Sequence, residues 1–164
     1  MTKSAKLQIL FLVHVCLFVA TGCTRESTSD SDVPPEHRNT FLLNAIVDHD
    51  LDTVRELLPE SGVKPEDVNF ETMYYYQEHG AEIPLTPLIL AVIEADPRIV
   101  SYLITRGADV NLPLKESGAT PVMFAATSDN EEALRILIDN GADIDYSAVH
   151  NTSVLQWAVR SDKP

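Results

Sequence analysis

The protein has 164 residues, of which 45% are hydrophobic, and its 25 acidic residues outweigh 12 basic ones to give a net charge of −13. This length and apolar content predict one compact domain with additional segments, whereas the acidic charge argues against nucleic acid as a partner, because phosphate binding needs a basic patch. The two cysteines are too few for a disulfide framework or a four-thiolate metal site.

The first segment, residues 1–22, has the organisation of a secretory signal. Lys3 and Lys6 precede an apolar run from Leu7 to Ala20, and a basic region followed by an apolar region is typical of a signal peptide. A membrane-spanning helix needs roughly 20 apolar residues, so this run is short for one.

The end of this segment, Ala20-Thr21-Gly22-Cys23, resembles the bacterial lipobox, in which a peptidase cuts before a lipidated cysteine. Ala20 departs from that pattern, because leucine is usual at its position. The resemblance implies a lipoprotein signal peptide over residues 1–22 and a membrane anchor on Cys23. An uncleaved N-terminal anchor and an ordinary signal cut elsewhere are the alternatives.

Residues 23–39 are polar and contain two adjacent prolines, Pro34 and Pro35. Such a segment buries too little apolar surface to offset its ordering entropy, so it is predicted to be a flexible tether. Thr24 follows the cysteine in place of the aspartate that retains enteric lipoproteins at the inner membrane. By that resemblance, the outer membrane of a bacterial cell envelope, facing the periplasm, is the expected location.

Two motifs recur in the rest of the chain. One occurs at Thr86–Ala91, Thr120–Ala125 and Ser153–Ala158, with spacings of 34 positions (86 to 120) and 33 positions (120 to 153). The other occurs at Gly107–Asn111 and Gly141–Asp145, 34 positions apart (107 to 141). Both motifs and this period resemble those of the ankyrin repeat family.

The resemblance implies an all-α fold over residues 40–164, an ankyrin-repeat solenoid of stacked antiparallel helix pairs with extended turns and about 3.5 repeats. It also implies a scaffold that binds proteins without catalysis or a cofactor. The expected repeats are about 40–69, 84–111, 118–145 and a partial 151–164, with an inserted finger at about 70–83.

The helix boundaries follow from the residues themselves. Thr86 and Thr120 each precede a proline, which is the order of an N-cap and a first helical residue. Asp50, Asp96 and Asn130 occupy an equivalent position before each second helix and are predicted to be its N-caps. Each repeat should therefore contain two helices with defined starts.

The sequence departs from the ankyrin pattern in three ways. The glycine expected between paired helices is replaced by His49, Ala95 and Asp129, and a left-handed backbone is costly for a residue such as alanine. The histidine of the ankyrin motif is replaced by Leu43, Ile89, Met123 and Gln156. No second helix is predicted for the fourth repeat, so residues 161–164 close the stack, the sequence is truncated, or a partner covers that end.

Ankyrin proteins usually bind partners through their turn tips and the concave face of their first helices. The matching positions here are Glu82, Glu94, Glu116, Ser117, Thr127, Ser128 and His150. Three of these seven are glutamates, which favours a partner with a basic patch. The alternative is that these glutamates are merely solvated, as on any acidic protein.

The finger, residues 70–83, contains three adjacent tyrosines, Tyr74, Tyr75 and Tyr76. Tyrosine is a common interface anchor, and a long insertion in a compact repeat is often functional. We therefore predict that the finger contributes to binding. The alternative is that these rings only pack the finger against the stack.

No catalytic or metal-binding pattern accompanies these motifs. The histidines have no HxxH or HExxH spacing, and there is no Gly-rich phosphate loop. Trp157 matches apolar positions of the other repeats and is predicted to be a core residue. The pair Glu78 and His79 is the one arrangement that would support an enzyme.

The sequence thus predicts an envelope lipoprotein that binds another protein non-covalently and has no metal or cofactor. Two kinds of binder are open: an inhibitor or immunity-type protein, and a scaffold or chaperone-like factor for envelope proteins in stress defence. The oligomeric state does not follow from the sequence.

Overall fold

The computed structural model describes residues 35–76, 81–128, 130–149 and 152–161. The predicted signal peptide, Cys23 and residues 24–34 of the tether lie outside these ranges. Asp129, His150 and the pair Glu78 and His79 also lie outside them.

The described residues form helix pairs separated by extended turns. The helices are α1 (Pro35–Val47), α2 (Leu51–Leu57), the single turn α3 (Pro65–Val68), α4 (Pro87–Ile93), α5 (Pro97–Thr105), α6 (Pro121–Thr127), α7 (Glu131–Asp139) and α8 (Val154–Ser161). The strands are β1 (Thr72–Tyr76), β2 (Ala81–Leu85), β3 (Ser147–Ala148) and β4 (Thr152–Ser153). Helix α1 begins five residues before the predicted start at residue 40, since Pro35 suits the first helical position and no glycine follows it.

The pairs stack side by side in chain order. Among the first helices, α1 packs on α4, α4 on α6, and α6 on α8, while among the second helices α2 packs on α5 and α5 on α7. The prediction of a helical repeat fold is confirmed. The described residues also contain two antiparallel strand pairs, β1 with β2 and β3 with β4, which the all-α prediction did not include.

The predicted N-caps of the second helices are confirmed. The side chains of Asp50, Asp96 and Asn130 each accept a hydrogen bond from a backbone N–H in the first turn of the helix that follows. Such a bond satisfies one of the donors that the first turn leaves unpaired. The predicted left-handed residues are also found, since φ is 55° at His49 and 57° at Ala95.

The core runs along the stack between the helix layers. The positions at which the family has a histidine are filled by buried apolar side chains at Leu43, Ile89 and Met123. Trp157 is half-buried and packs on this core, with its ring centroid 6.2 Å from that of Phe124. Burial of these side chains between successive helix pairs is what joins the repeats, because a single pair has no closed core of its own.

Two asparagine side chains link consecutive turns. The Asn69 amide donates to the carbonyl of Gly107 at 2.9 Å and accepts from the backbone N–H of Asp109 at 2.8 Å. Asn111 repeats both bonds one unit later, to Gly141 and Asp143, at 3.0 and 2.8 Å. An amide suits this position because it offers a donor and an acceptor together.

The threonine N-caps of α4 and α6 differ in one respect that can be tested. The Thr86 hydroxyl accepts from the N–H of Ile89 at 3.2 Å, whereas the Thr120 hydroxyl is buried without a hydrogen-bond partner. Thr86→Val should therefore lower the free energy of unfolding by about 1 kcal/mol, and Thr120→Val should leave it unchanged or raise it. Urea unfolding of both variants measures the difference, and equal losses would contradict this assignment of the caps.

Candidate protein-binding surface

Most of the finger and the residues directly after it form an antiparallel strand pair, residues 72–76 and 81–85, which we call the hairpin. Strand β1 pairs with β2 in a register that places Thr72 opposite Leu85 and Tyr76 opposite Ala81. Successive side chains in a strand point to opposite faces. Tyr74 and Tyr75 therefore have different surroundings, and the side chain of Tyr76 lies outside the described set.

The inner face of the hairpin packs against the repeats. Leu85 is fully buried, and Tyr74 and Ile83 are half-buried against the core. Burial, together with the carboxylates of Glu94 and Asp48, raises the pKa of the Tyr74 phenol. Asp48 follows α1 and Glu94 follows α4, so the inner face of the hairpin lies close to the C-terminal ends of these two helices.

The outer face of the hairpin is open to solvent. Met73 is 57% exposed and Tyr75 is 55% exposed. They lie two residues apart on β1, opposite Pro84 and Glu82 of β2. We call these four residues the hairpin surface. Two large apolar side chains are therefore displayed together on a strand whose other face is fixed by the core.

Of the predicted glutamates, Glu82 lies on the hairpin itself, and Glu116 lies in a turn that is bonded to the residue before β1. Glu116 is exposed in the turn between α5 and α6, and the neighbouring backbone N–H of Lys115 donates to the Glu71 carboxylate at 2.9 Å. Because Glu71 directly precedes β1, this bond holds the turn beside the hairpin. Ser117 is half-buried in the same turn, where its hydroxyl accepts from the N–H of Ala119 at 3.2 Å.

The other predicted positions lie at the ends of first helices. The hydroxyls of Thr127 and Ser128 both donate to the Phe124 carbonyl at 2.9 Å. Glu94 is half-buried at the end of α4, and His150 lies outside the described residues. The structure therefore groups Tyr75, Glu82 and Glu116 on or beside the hairpin, and it engages the two hydroxyls with the backbone.

Sequence reasoning missed Met73 and Pro84. Met73 lies in the finger and Pro84 directly follows it, and only the strand pairing shows that they share the outer face with Tyr75. The alternation of side chains along a strand could have indicated Met73, because if Tyr74 faces the core, then its two neighbours on the strand face away from it.

Two further kinds of feature are absent from the described ranges. No group of three or more His, Cys, Asp or Glu side chains there is arranged to hold a metal ion. None of the described helices is both long enough and apolar enough to cross a membrane.

Comparison with known proteins agrees with the architecture. A family profile described as ankyrin repeats (3 copies) matches residues 42–148. The chain is 35% identical over 78 residues, or 48% of its length, to the human ankyrin repeat and KH domain-containing protein 1 and to the Drosophila melanogaster ankyrin repeat and KH domain-containing protein mask. It covers only 3% and 2% of those proteins. Ankyrin repeats are in general non-enzymatic modules of protein–protein interaction, and this chain belongs to the ankyrin repeat family.

Proposed function

We propose that this protein is a lipid-anchored ankyrin-repeat protein of the bacterial cell envelope that binds another protein non-covalently through the hairpin surface. The observation that carries the binding role is the joint exposure of Met73 and Tyr75 on a strand packed to the core. Tyrosine and methionine are enriched at interfaces. A strand fixed on one side loses little conformational entropy when its other side is covered.

The negative charge beside the hairpin surface indicates that the partner has a basic surface. Glu82 is part of the hairpin surface and Glu116 lies in the adjacent turn, and both are exposed. A partner that places basic side chains against them gains complementary electrostatics, which raises association rates and weakens as salt is added. The net charge of −13 acts in the same direction over longer distances.

The proposed anchor rests on the residues before the folded region. The lipobox-like Ala20-Thr21-Gly22-Cys23 supports lipidation of Cys23, and Thr24 supports sorting to the outer membrane, with the repeats facing the periplasm. A residue with several acyl chains anchors far more firmly than a single myristoyl chain.

Cys23→Ala is expected to move the protein from the membrane fraction to the soluble fraction, and retention of this variant would favour an uncleaved anchor.

Two binding roles fit this proposal. An inhibitor or immunity-type protein predicts one tight, basic partner encoded beside a toxin gene. A scaffold or chaperone-like factor for envelope proteins in stress defence predicts several weak clients and no such neighbour. We favour the first role because the hairpin surface is small and fixed by packing, which suits one complementary partner better than many clients.

Site-specific crosslinking tests the proposed surface. A photoreactive residue at position 75 is expected to crosslink a partner in the protein's own cells. The same residue at position 101, where Ser101 is exposed on α5, is the matched control and should capture no such band. Equal crosslinking at both positions, or none at position 75, would contradict the proposal.

A further inference from the structure

The hydrogen-bonding pattern of the hairpin follows from its strand register. Strands β1 and β2 pair in one continuous register that places Met73 opposite Pro84 and Tyr75 opposite Glu82. In an antiparallel ladder, pairs that exchange two hydrogen bonds alternate with pairs whose N–H and C=O groups point away from each other. Because proline has no N–H to exchange, Met73 and Pro84 form a pair of the second kind. Tyr75 and Glu82, two positions further along the ladder, form another.

This pattern leaves backbone groups of β1 pointing away from β2. They are the N–H and C=O groups of Met73 and Tyr75, which lie in the plane of the sheet, whereas the side chains of these residues project from its outer face. No backbone hydrogen bond joins either residue to a described residue outside the hairpin. The turn between α5 and α6 contacts the hairpin at Glu71, before β1 begins. We call this row of donors and acceptors the β1 edge.

The two edges of the hairpin differ in their ability to pair with another strand. On β2 the outward backbone groups belong to Glu82 and Pro84, and Pro84 removes one donor from that row. A proline or a charged side chain on an edge strand hinders pairing with another chain. The β1 edge has neither, since Met73 and Tyr75 supply its outward groups. Of the two edges, the β1 edge therefore has the complete pattern of donors and acceptors that an added strand requires.

We propose that the β1 edge binds an extended segment of the partner protein, which adds to the hairpin as a third strand. This inference rests on the proposed function, because it specifies how the partner contacts the hairpin. Addition of a strand to an exposed sheet edge is an established mode of recognition, in which main-chain hydrogen bonds supply affinity and alternate side chains supply specificity. The added strand satisfies the outward N–H and C=O groups of Met73 and Tyr75.

The side chains around the β1 edge describe the segment chemically. On the outer face its alternate residues lie beside Met73 and Tyr75, which are exposed, so apolar or aromatic side chains are expected at these positions. Glu82 on the same face and Glu116 in the adjacent turn are exposed carboxylates, which favour lysine or arginine next to the paired stretch. Proline is excluded from that stretch, because it would remove an N–H that bonds to β1. The partner segment is therefore extended, with alternating apolar residues and basic flanks.

Amide hydrogen exchange, resolved by residue with NMR, tests this inference on the full-length chain in non-ionic detergent. The probe is a synthetic peptide of alternating valine and threonine between flanking lysines, and its control has proline in place of the central valine. In the free protein the Tyr74 amide should exchange slowly, whereas the amides of Met73 and Tyr75 should exchange rapidly. The valine–threonine peptide is expected to slow exchange at Met73 and Tyr75 at least about tenfold, and the proline peptide should not.

A pair of variants at one position separates the backbone edge from the side chains. Met73→Pro and Met73→Ala lose the same side chain, but only the proline removes the outward N–H, which carries no bond to β2. The two variants should share one unfolding midpoint, and Met73→Pro should bind the labelled peptide at least about tenfold more weakly, as measured by anisotropy.

Several results would overturn the proposal: slow exchange at Met73 and Tyr75 in the free protein, exchange unchanged by the peptide, or equal peptide affinity of the two Met73 variants. A dimer in sedimentation that protects these amides without peptide would assign the β1 edge to a second copy instead. Crosslinking of a partner at position 75 does not depend on an added strand. It would therefore still support the hairpin surface in each of these cases, so the two proposals fail separately.

Discussion

Replacing Ile89 by alanine is expected to lower the free energy of unfolding by about 3 to 4 kcal/mol. The side chain is fully buried on α4, which packs on both α1 and α6. Alanine would leave a cavity with repeats on either side of it, so little rearrangement can fill the space. Urea unfolding followed by circular dichroism measures this loss.

Ile138→Ala is the matched control for this change, because the same side chain is exposed at that position. It should alter the free energy of unfolding by no more than about 0.5 kcal/mol. Because repeats are coupled through their interfaces, Ile89→Ala should also broaden the transition as the neighbouring units separate. Equal effects of the two variants would contradict the stacked core.

Replacing Asp96 by alanine is expected to lower the free energy of unfolding by about 2 kcal/mol. Its buried carboxylate caps α5 through the N–H groups of Arg98 and Ile99, and it also accepts two bonds from the Arg98 guanidinium at 3.1 and 2.8 Å. The His49 Nδ1 atom, in the connection between α1 and α2, lies 3.5 Å from the Asp96 Oδ2 atom. Asp96→Asn keeps an N-cap oxygen and should lose about half as much.

The two Asp96 variants also predict a pH dependence with a definite sign. The Arg98 hydrogen bond, followed by the backbone bonds of the cap, holds the pKa of Asp96 below its ordinary value, and burial opposes this only in part. The folded state therefore gains stability from this carboxylate above the unfolded pKa, near 4, and loses it as the pH falls through the lower folded pKa.

The stability difference between the parent and Asp96→Asn should accordingly be largest near pH 7 and shrink below about pH 4. Unfolding curves at several pH values measure it. Asp50 provides an internal comparison, because the Thr53 hydroxyl holds the pKa of Asp50 low in both the parent and the Asp96→Asn variant. A difference that grew on acidification would contradict the described role of Asp96.

Local chemistry made the helices predictable from the sequence. Thr86, Asp50, Asp96 and Asn130 act on N–H groups two or three residues away, so each N-cap can be read from a short stretch of chain. The left-handed conformation of Ala95 was predictable for the same reason, since the repeat register specifies it.

The hairpin surface was only partly predictable, because three successive tyrosines show no alternation between apolar and polar positions. Sequence therefore located Tyr74 and Tyr75 in the finger without saying which one packs. Their faces are decided by the pairing of β1 with β2 and by contact with the core. Met73 and Pro84 were missed for the same reason.

The other features that the sequence did not predict depend on contacts between residues far apart in the chain. The Tyr102 hydroxyl donates to the carbonyl of Leu58 at 2.6 Å, and Arg106 donates to that of Pro59 at 3.2 Å, and these two bonds fix the chain at the end of α2. Nothing in the local sequence marks these pairs. Leu155 likewise has the same place in its motif as the buried Leu88, yet it is exposed.

The hairpin surface is tested most directly by the dissociation constant of the partner that crosslinks at position 75. Tyr75→Ser should weaken binding at least about tenfold, which corresponds to about 1.4 kcal/mol, because an exposed aromatic anchor is lost while the packed inner face is kept. Phe41→Ser, which changes an exposed ring on α1, should bind like the parent. Parental affinity in a folded Tyr75→Ser variant would contradict binding through the hairpin surface.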